Sequence, residues 1–323
     1  MISHDPSHTP STAATRPAGV SRSLFERAYS RSMDLGGHLE KHLLGVLSQT
    51  LETPGAMNRA LLAGGLMNAW GAPEERCAQV ATAIEYWHAA SLLLDDLPCM
   101  DNATERRGES CAHTRFGEAP AILGALGLIN KAYALAWSAM AGCGAAARDA
   151  AAGLIEECLG AQGILNGQAL DLAFQESDRT ARDVLRIADG KTGTLLRLTL
   201  QWPALMAGVT DPVRQEALHD LAIAWGRAYQ IMDDAKDLHM SSLESGKTAG
   251  RDVLNGRPNL VVALGGALAR ETLLVEMRKA ESAIATLMRD ARPAAILMAR
   301  QRKFEQEAAA LVWETPAGNL AIG

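Results

Sequence analysis

From about Arg22 onward, apolar residues recur mostly three and four positions apart. Leu24, Ala28, Met33, Leu35, Leu39, Leu43, Leu44 and Leu47 keep this rhythm, which is that of helices burying one face. Pro54-Gly55 interrupts it, as a turn-forming pair does. A second helix is predicted over Met57 to Trp70, closed by Gly71-Ala72-Pro73. A third starts at Glu74 or Glu75 and runs through Leu94. Gly108 to Gly117 reads as a loop. Helical periodicity resumes over Ala119–Ala141, Ala145–Phe174, Ala181–Leu205, Pro212–Leu238 and Leu260–Ile284. The connectors are short and most carry Gly or Pro. There is no fixed-period repeat of solenoid length. The pattern predicts an all-α protein, one large helical bundle over residues 22–323, with ligand sites among facing side chains inside it.

Composition supports this and narrows the chemistry. Apolar residues make up 48% of the chain and aromatics only 4%, so Ala and Leu, both strong helix formers, supply the core. Residues 1–21 are rich in Ser, Thr, Pro and His and lack the apolar stretch of a signal peptide; they read as a disordered tail. No run of 18 apolar residues occurs, so no membrane span is expected. The net charge is −6 and no basic arm or stripe exists, which argues against a nucleic-acid partner. Five cysteines, an odd number without a CxxC pair, suggest neither a disulfide framework nor a zinc site. A reducing cytoplasm is the simplest setting.

Two aspartate clusters carry the candidate chemistry. In QIMDDAKDL, Asp233, Asp234 and Asp237 lie at i, i+1 and i+4. Positions i and i+4 share a helix face, with i+1 offset by about 100°. Three carboxylates are thereby expected on one patch of a buried helix, where they would repel one another and resist ionisation. A divalent cation relieves that cost. In SLLLDDLPCMDN, Asp95, Asp96 and Asp101 are spaced too far for one face. Pro98 disfavours helix at Leu97, so the chain is expected to loop and bring Asp101 back. Mg²⁺ favours a few carboxylates plus substrate phosphate oxygens. Basic residues follow both clusters, Arg106 and Arg107 after the first and Lys247 after the second. Arg suits phosphate through its paired donors.

The blocks HAASLLLDDLPCMDNATERRGESCAHTRFGEAPAIL, NGQALDL, KTGTLL and QIMDDAKDL…GKTAGRDVLNGRPN resemble trans-isoprenyl diphosphate synthases, most nearly the bacterial geranylgeranyl diphosphate synthases. The likeness covers roughly Leu39 to Leu264, with the motifs in the family's order. It implies an isoprenoid synthase bundle around a central cavity, usually a homodimer, with Mg²⁺, three ions when substrate is bound. It implies Asp95, Asp96, Asp101, Asp233, Asp234 and Asp237 as Mg²⁺ ligands. Arg106, Lys191 and Lys247 resemble the cations that hold an allylic diphosphate, and Arg251 and Arg257 stand where the family often has lysines. Thr192 and Gln230 resemble polar groups near the reacting carbons. Arg59, His88 and Arg107 resemble contacts to isopentenyl diphosphate. Gln168 lies on a cavity-lining helix, where it either orients substrate or makes an interhelical hydrogen bond. His113 reads as a loop residue. Ala90 and Ser91 are small where shorter-chain synthases often carry a blocking aromatic, which implies room for a C20 product.

One departure matters. The family's Gly-Lys-Arg segment corresponds to Pro54-Gly55-Ala56-Met57-Asn58-Arg59, so the lysine position is Ala56. A lost charged hydrogen bond costs about 1.5–3 kcal/mol. The leading expectation is condensation of an allylic diphosphate with isopentenyl diphosphate to geranylgeranyl diphosphate. Two alternatives stand beside it. Ala56 motivates a terpene synthase that ionises the allylic diphosphate alone; the other is a modulatory subunit of a heteromeric synthase.

Overall fold

The periodic stretches become helices, with more interruptions than their hydrophobic rhythm predicts. The computed structural model describes residues 22–174, 180–239, 259–311 and 313. Helices α1 (Arg22–Arg31), α2 (Lys41–Glu52), α3 (Asn58–Ala69) and α4 (Glu74–Asp95) come first. A small hairpin, β1 (Glu105–Arg106) and β2 (Glu109–Ser110), precedes α5 (Ala112–Phe116), α6 (Glu118–Met140), α7 (Ala145–Leu159) and α8 (Ile164–Leu172). Then come α9 (Ala181–Ala188), a π-turn (Asp189–Gly193), α10 (Thr194–Met206) and α11 (Pro212–His239). The described chain ends with α12 (Leu260–Leu264), α13 (Gly266–Thr286) and α14 (Ala291–Ala309). The fold is all-helical apart from the hairpin, as the sequence predicts.

Each interruption has a local cause. The rhythm from Leu24 to Leu47 spans two helices. Asp34 accepts from the Gly36 N–H in the turn between them, and Glu40 caps α2 by accepting from His42 and Leu43. The stretch Ala145–Phe174 splits because Gly163 packs on the end of α7: a Cβ there would lie 2.2 Å from the Cys158 carbonyl oxygen. Gly265, at φ +77°, separates α12 from α13. The predicted loop after Gly108 contains α5 and half of the hairpin. Helix α14 was not expected at all. Its buried face is Ala294, Leu297, Gln301 and Phe304, and the polar Gln301 dilutes the stripe.

Two apolar clusters form the core. One joins α1 to α4, α6 and α7; the other joins α9, α11 and the C-terminal helices. Helix α10 feeds both, with Leu198 and Trp202 in the first and Leu200 and Ala204 in the second. A helix apolar on all sides must be buried on all sides, and α4 is so placed, packed by α1, α3, α6 and α10. Helix α6 is long and apolar enough to cross a membrane by length and composition, the one such helix among the described residues, and a third of its apolar window is buried here. Asn130 and Lys131 interrupt it, so it is not an unbroken apolar run, and no clear membrane span is found among the described residues. One face of α6 lies on α4, whereas Leu123, Leu126, Tyr133 and Trp137 are exposed on it.

Between the two clusters the backbones of α8 and the π-turn touch. A Cβ on Gly167 would lie 2.3 Å from the Gly190 carbonyl carbon. Backbone cannot step aside as a flexible side chain does, so overpacking of this kind costs about 1–3 kcal/mol. Gly167→Ala is expected to lower stability by that amount in denaturant unfolding. Gly153→Ala, in α7 with open space around its Cβ position, is expected to raise it by about 0.5–1 kcal/mol.

Candidate active site

A cavity of about 490 Å³ opens between the two core clusters. Asp95 reaches it from the last turn of α4, Asp101 from the following loop, Asp171 from α8, Lys191 from the π-turn and Asp233 from α11. Apolar walls come from Leu92, Ile164, Leu165, Val184, Ile187 and Leu195. A half-apolar pocket with a few convergent polar groups is the usual form of a small-molecule site.

Helix α4 stops where Pro98 requires. The Asp101 N–H then donates to the Asp95 carbonyl at 2.9 Å, so the loop folds back and returns Asp101 to the cavity. The next turn positions the two arginines. Arg107 and Gly108 both have positive φ, 57° and 78°, and join β1 to β2 across two residues, the geometry that favours twisted hairpins. Arg106 points inward and grips Asp96 through Nε and Nη2 at 2.6–3.0 Å. Arg107 lines the cavity as well, and its Nη1 donates to the Thr53 carbonyl at 3.3 Å. Its guanidinium lies where a Cβ on Gly55 would be, and Gly55 has φ +69°, a conformation that favours glycine.

Several site residues sit elsewhere than the sequence suggested. Asp96 is buried, paired with Arg106, and faces a smaller adjoining pocket instead of the main cavity. Asp234 is buried as well: it accepts from Gln230 Nε2 at 2.7 Å and from the Leu260 N–H at 2.6 Å. The expected convergence of three carboxylates on one patch is thus replaced by Asp233 lining the cavity and Asp234 holding α12, because i+1 is rotated by about 100°. Asp237 lies one turn further along α11, outside the cavity lining. Ser91 lines the cavity, its hydroxyl satisfied by the His88 carbonyl at 2.9 Å. Ala90 does not, being fully buried in the core. Gln168 lines the cavity and its amide approaches the Met100 sulfur at 3.9 Å. His113 is in α5, not a loop. Lys247, Arg251 and Arg257 lie outside the described residues.

Lys191 and Thr192 fall inside the stretch Ala181–Leu205, which widens at Asp189–Gly193 into a π-turn, a feature frequent at functional sites. Lys191 Nζ donates to Asp171 at 2.7 Å. Burial works against its charge, but Asp171, Asp95 and Asp101 outweigh that and hold its pKa above the ordinary value. Thr192 donates to Gln230 Oε1 at 3.3 Å.

On the opposite side, Arg59 and His88 meet. Arg59 Nη1 lies 3.3 Å from His88 Nε2. Burial, then Arg59, Arg107 and Arg106, push the imidazole well below its usual pKa. A neutral ring accepting from Arg59 carries its proton on Nδ1. Two residues here escaped the sequence reading. Glu85, one turn before His88 and almost fully buried, has a carboxyl raised by burial and opposed by Arg59. Tyr229 lines the cavity beside Gln230. The i, i+3 spacing of Glu85 and His88 was the available signal for the first.

The donors available to a cation are Asp95, Asp101 and Asp233, all hard oxygen ligands. Burial pushes the Asp95 carboxyl up to about 6, with Asp101 and Asp171 adding and Lys191 and Arg106 opposing. Such a carboxylate gains from a bound cation. Among the described residues no group of three His, Cys, Asp or Glu is gathered tightly enough to hold a metal ion alone.

A family model for polyprenyl synthetases matches residues 40–289. A geranylgeranyl diphosphate synthase of Pseudescherichia vulneris is 40% identical over 194 residues, 60% of this chain and 61% of that protein. The chain thus spans about three fifths of that relative's length. A farnesyl diphosphate synthase of Bacillus subtilis is 30% identical over 262 residues, 80% of this chain and 86% of that protein. Among solved structures, a geranyltransferase of Helicobacter pylori complexed with magnesium and isoprenyl diphosphate superposes with a TM-score of 0.76 at 22% identity, over 88% of this chain and 96% of that one.

Asp95 gives a pH prediction without any ligand. Its folded pKa of about 6 exceeds the ordinary 3.8, so the folded state binds the extra proton and stability falls as pH rises between the two values. Asp95→Asn is expected to stabilise the ligand-free protein at pH 7 by at most about 3 kcal/mol. The gain should fade below about pH 4 in unfolding measured across pH.

Proposed function

The chain belongs to the polyprenyl synthetase family, and from that premise we propose that it is a prenyltransferase that extends an allylic diphosphate with isopentenyl diphosphate to geranylgeranyl diphosphate. The observation that carries this reading is that one cavity gathers both charged groups. Asp95, Asp101, Asp233 and Lys191 line it together with Arg59, His88 and Arg107 and with apolar side chains. Such a cavity suits two diphosphates and a hydrocarbon chain.

Asp95, Asp101 and Asp233 would hold Mg²⁺, which when bound neutralises the diphosphate that leaves carbon. Lys191 and Arg106 approach that diphosphate, and each already sits beside a carboxylate that keeps it oriented. Thr192 and Gln230 present oxygens close to the cationic carbon. Arg59, with His88 accepting from it, offers its remaining donors to the second diphosphate, assisted by Arg107. The apolar walls exclude water, which protects the allylic cation from quenching. The released diphosphate takes the proton lost at the end.

Product length in this reading is set by Ser91, the residue four before Asp95. Ser91→Phe is expected to shorten the product, whereas Ala90→Phe would overpack the core and destabilise the protein. The two outcomes separate by product chromatography and thermal unfolding. A homodimer agrees with the exposed apolar row on α6: Leu126→Glu with Trp137→Glu is expected to yield a monomer in sedimentation.

The deciding experiment incubates purified protein with farnesyl diphosphate and Mg²⁺, with and without isopentenyl diphosphate. Geranylgeranyl diphosphate formed only with isopentenyl diphosphate supports the reading. A hydrocarbon formed without it supports a terpene synthase instead. Activity seen only after mixing with another synthase supports a modulatory subunit. Ala56→Lys restores a charge for the acceptor diphosphate, so it is expected to lower the KM for isopentenyl diphosphate by roughly tenfold to a hundredfold.

A further inference from the structure

On the side of the π-turn that faces away from the cavity lies a chain of charges with no part in the scheme above. Arg227, on α11, holds Asp189 by two parallel hydrogen bonds, Nε to Oδ1 at 2.8 Å and Nη2 to Oδ2 at 2.7 Å. Its Nη1 lies 3.6 Å from Glu276 on α13. The Glu276 side chain is 4% exposed and also receives Lys279 Nζ at 2.7 Å. One guanidinium thus ties together α11, α13 and the first residue of the π-turn.

Two and three residues further on, the same turn delivers Lys191 and Thr192 to the cavity. A π-turn inserts an extra residue into a helix. A slip of one residue would rotate each following side chain by about 100°, out of the cavity. Something must therefore fix where the extra residue is absorbed. Glycine contacts hold the turn close on both sides: Gly190 lies on Gly167 of α8, and a Cβ on Gly226 of α11 would lie 3.1 Å from Gly193 Cα. These contacts set distance. They do not set rotation, because a glycine presents no side chain to grip. The paired Arg227–Asp189 bonds supply direction, since the guanidinium fork fits a carboxylate in one plane.

We propose that Arg227, braced by Glu276, is a positioning residue that pins Asp189 and so keeps the π-turn in the register that aims Lys191 and Thr192 into the cavity. The catalytic consequence rests on the function proposed above; the anchoring is a property of the turn alone. An exposed ion pair with no such role would contribute little and would leave both the turn and the allylic end unchanged when removed.

The test compares the full-length protein with Arg227→Gln in two measurements. Amide hydrogen exchange across residues 189–193 is expected to accelerate about tenfold, with exchange in α4 and α6 unchanged, since local opening is confined to the unit that loses its anchor. In steady-state kinetics, kcat/KM for the allylic substrate is expected to fall roughly tenfold to a hundredfold, with the KM for isopentenyl diphosphate unmoved. In a Lys191→Ala background the further loss on adding Arg227→Gln should shrink to the part carried by Thr192, because Arg227 acts on Lys191 through the same turn. Glu276→Gln should give the same pattern more weakly. Unchanged exchange in the turn overturns the proposal, as does a kinetic loss that adds in full to that of Lys191→Ala. Should the wild-type protein form no prenyl product, the proposed function fails and the exchange measurement still decides the anchoring. Should Arg227→Gln not fold, Arg227→Lys, which keeps the charge and loses the paired geometry, is read in the same two assays.

Discussion

Carboxylates carried into an apolar bundle must be compensated, and the arrangement of the cavity follows from how this chain does it. Asp96 is gripped by Arg106, Asp171 by Lys191, and Asp189 by Arg227. Asp234 takes hydrogen bonds from Gln230 and from the backbone of α12. Stranding the nearly buried Asp96 or Asp171 by removing its cation costs about 3–5 kcal/mol, and less for the more exposed Asp189. These pairs are consequently framework as much as chemistry. For Asp95, as for Glu85, burial outweighs the neighbouring charges and raises the carboxyl pKa.

The same compensation explains how cations can wait in the cavity without ligand. Lys191 and Arg106 are not loose side chains that search for an anion. Each is already oriented by a carboxylate and can share its donors with a phosphate at little cost in ordering, which is the benefit of preorganisation. Around Arg59 the device is different: Arg59 leans on a neutral histidine, with the buried Glu85 beside it. Neither Arg59 Nε nor Glu85 Oε2 has a hydrogen-bond partner among the described residues. That region is less fully satisfied, which agrees with the missing lysine at Ala56.

Much of this was legible in the sequence, and the limits are physical. Helical periodicity located most of the helices, since a buried face demands three-to-four spacing. It missed the breaks at Gly163 and Gly265, where backbone contact or a positive φ overrides an unbroken rhythm, and it missed α14, whose buried stripe includes Gln301. Pro98 correctly foretold a loop that returns Asp101. The motif spacing identified the residue types around the cavity but could not tell which adjacent aspartate faces inward. Asp95 and Asp96 differ by one residue and point into different pockets; Ser91 lines the cavity while Ala90 is buried in the core. The π-turn was invisible because glycines and a proximate Asp read equally well as a helix break.

The central claim is that the aspartate end of the cavity takes a diphosphate and Mg²⁺ together, each needing the other. Calorimetric titration of inorganic diphosphate into the protein, with and without Mg²⁺, tests it most directly. The account predicts tight binding only with Mg²⁺, abolished in Asp233→Asn and much weakened in Lys191→Ala. Diphosphate binding that is indifferent to Mg²⁺, or that survives both substitutions, would contradict it.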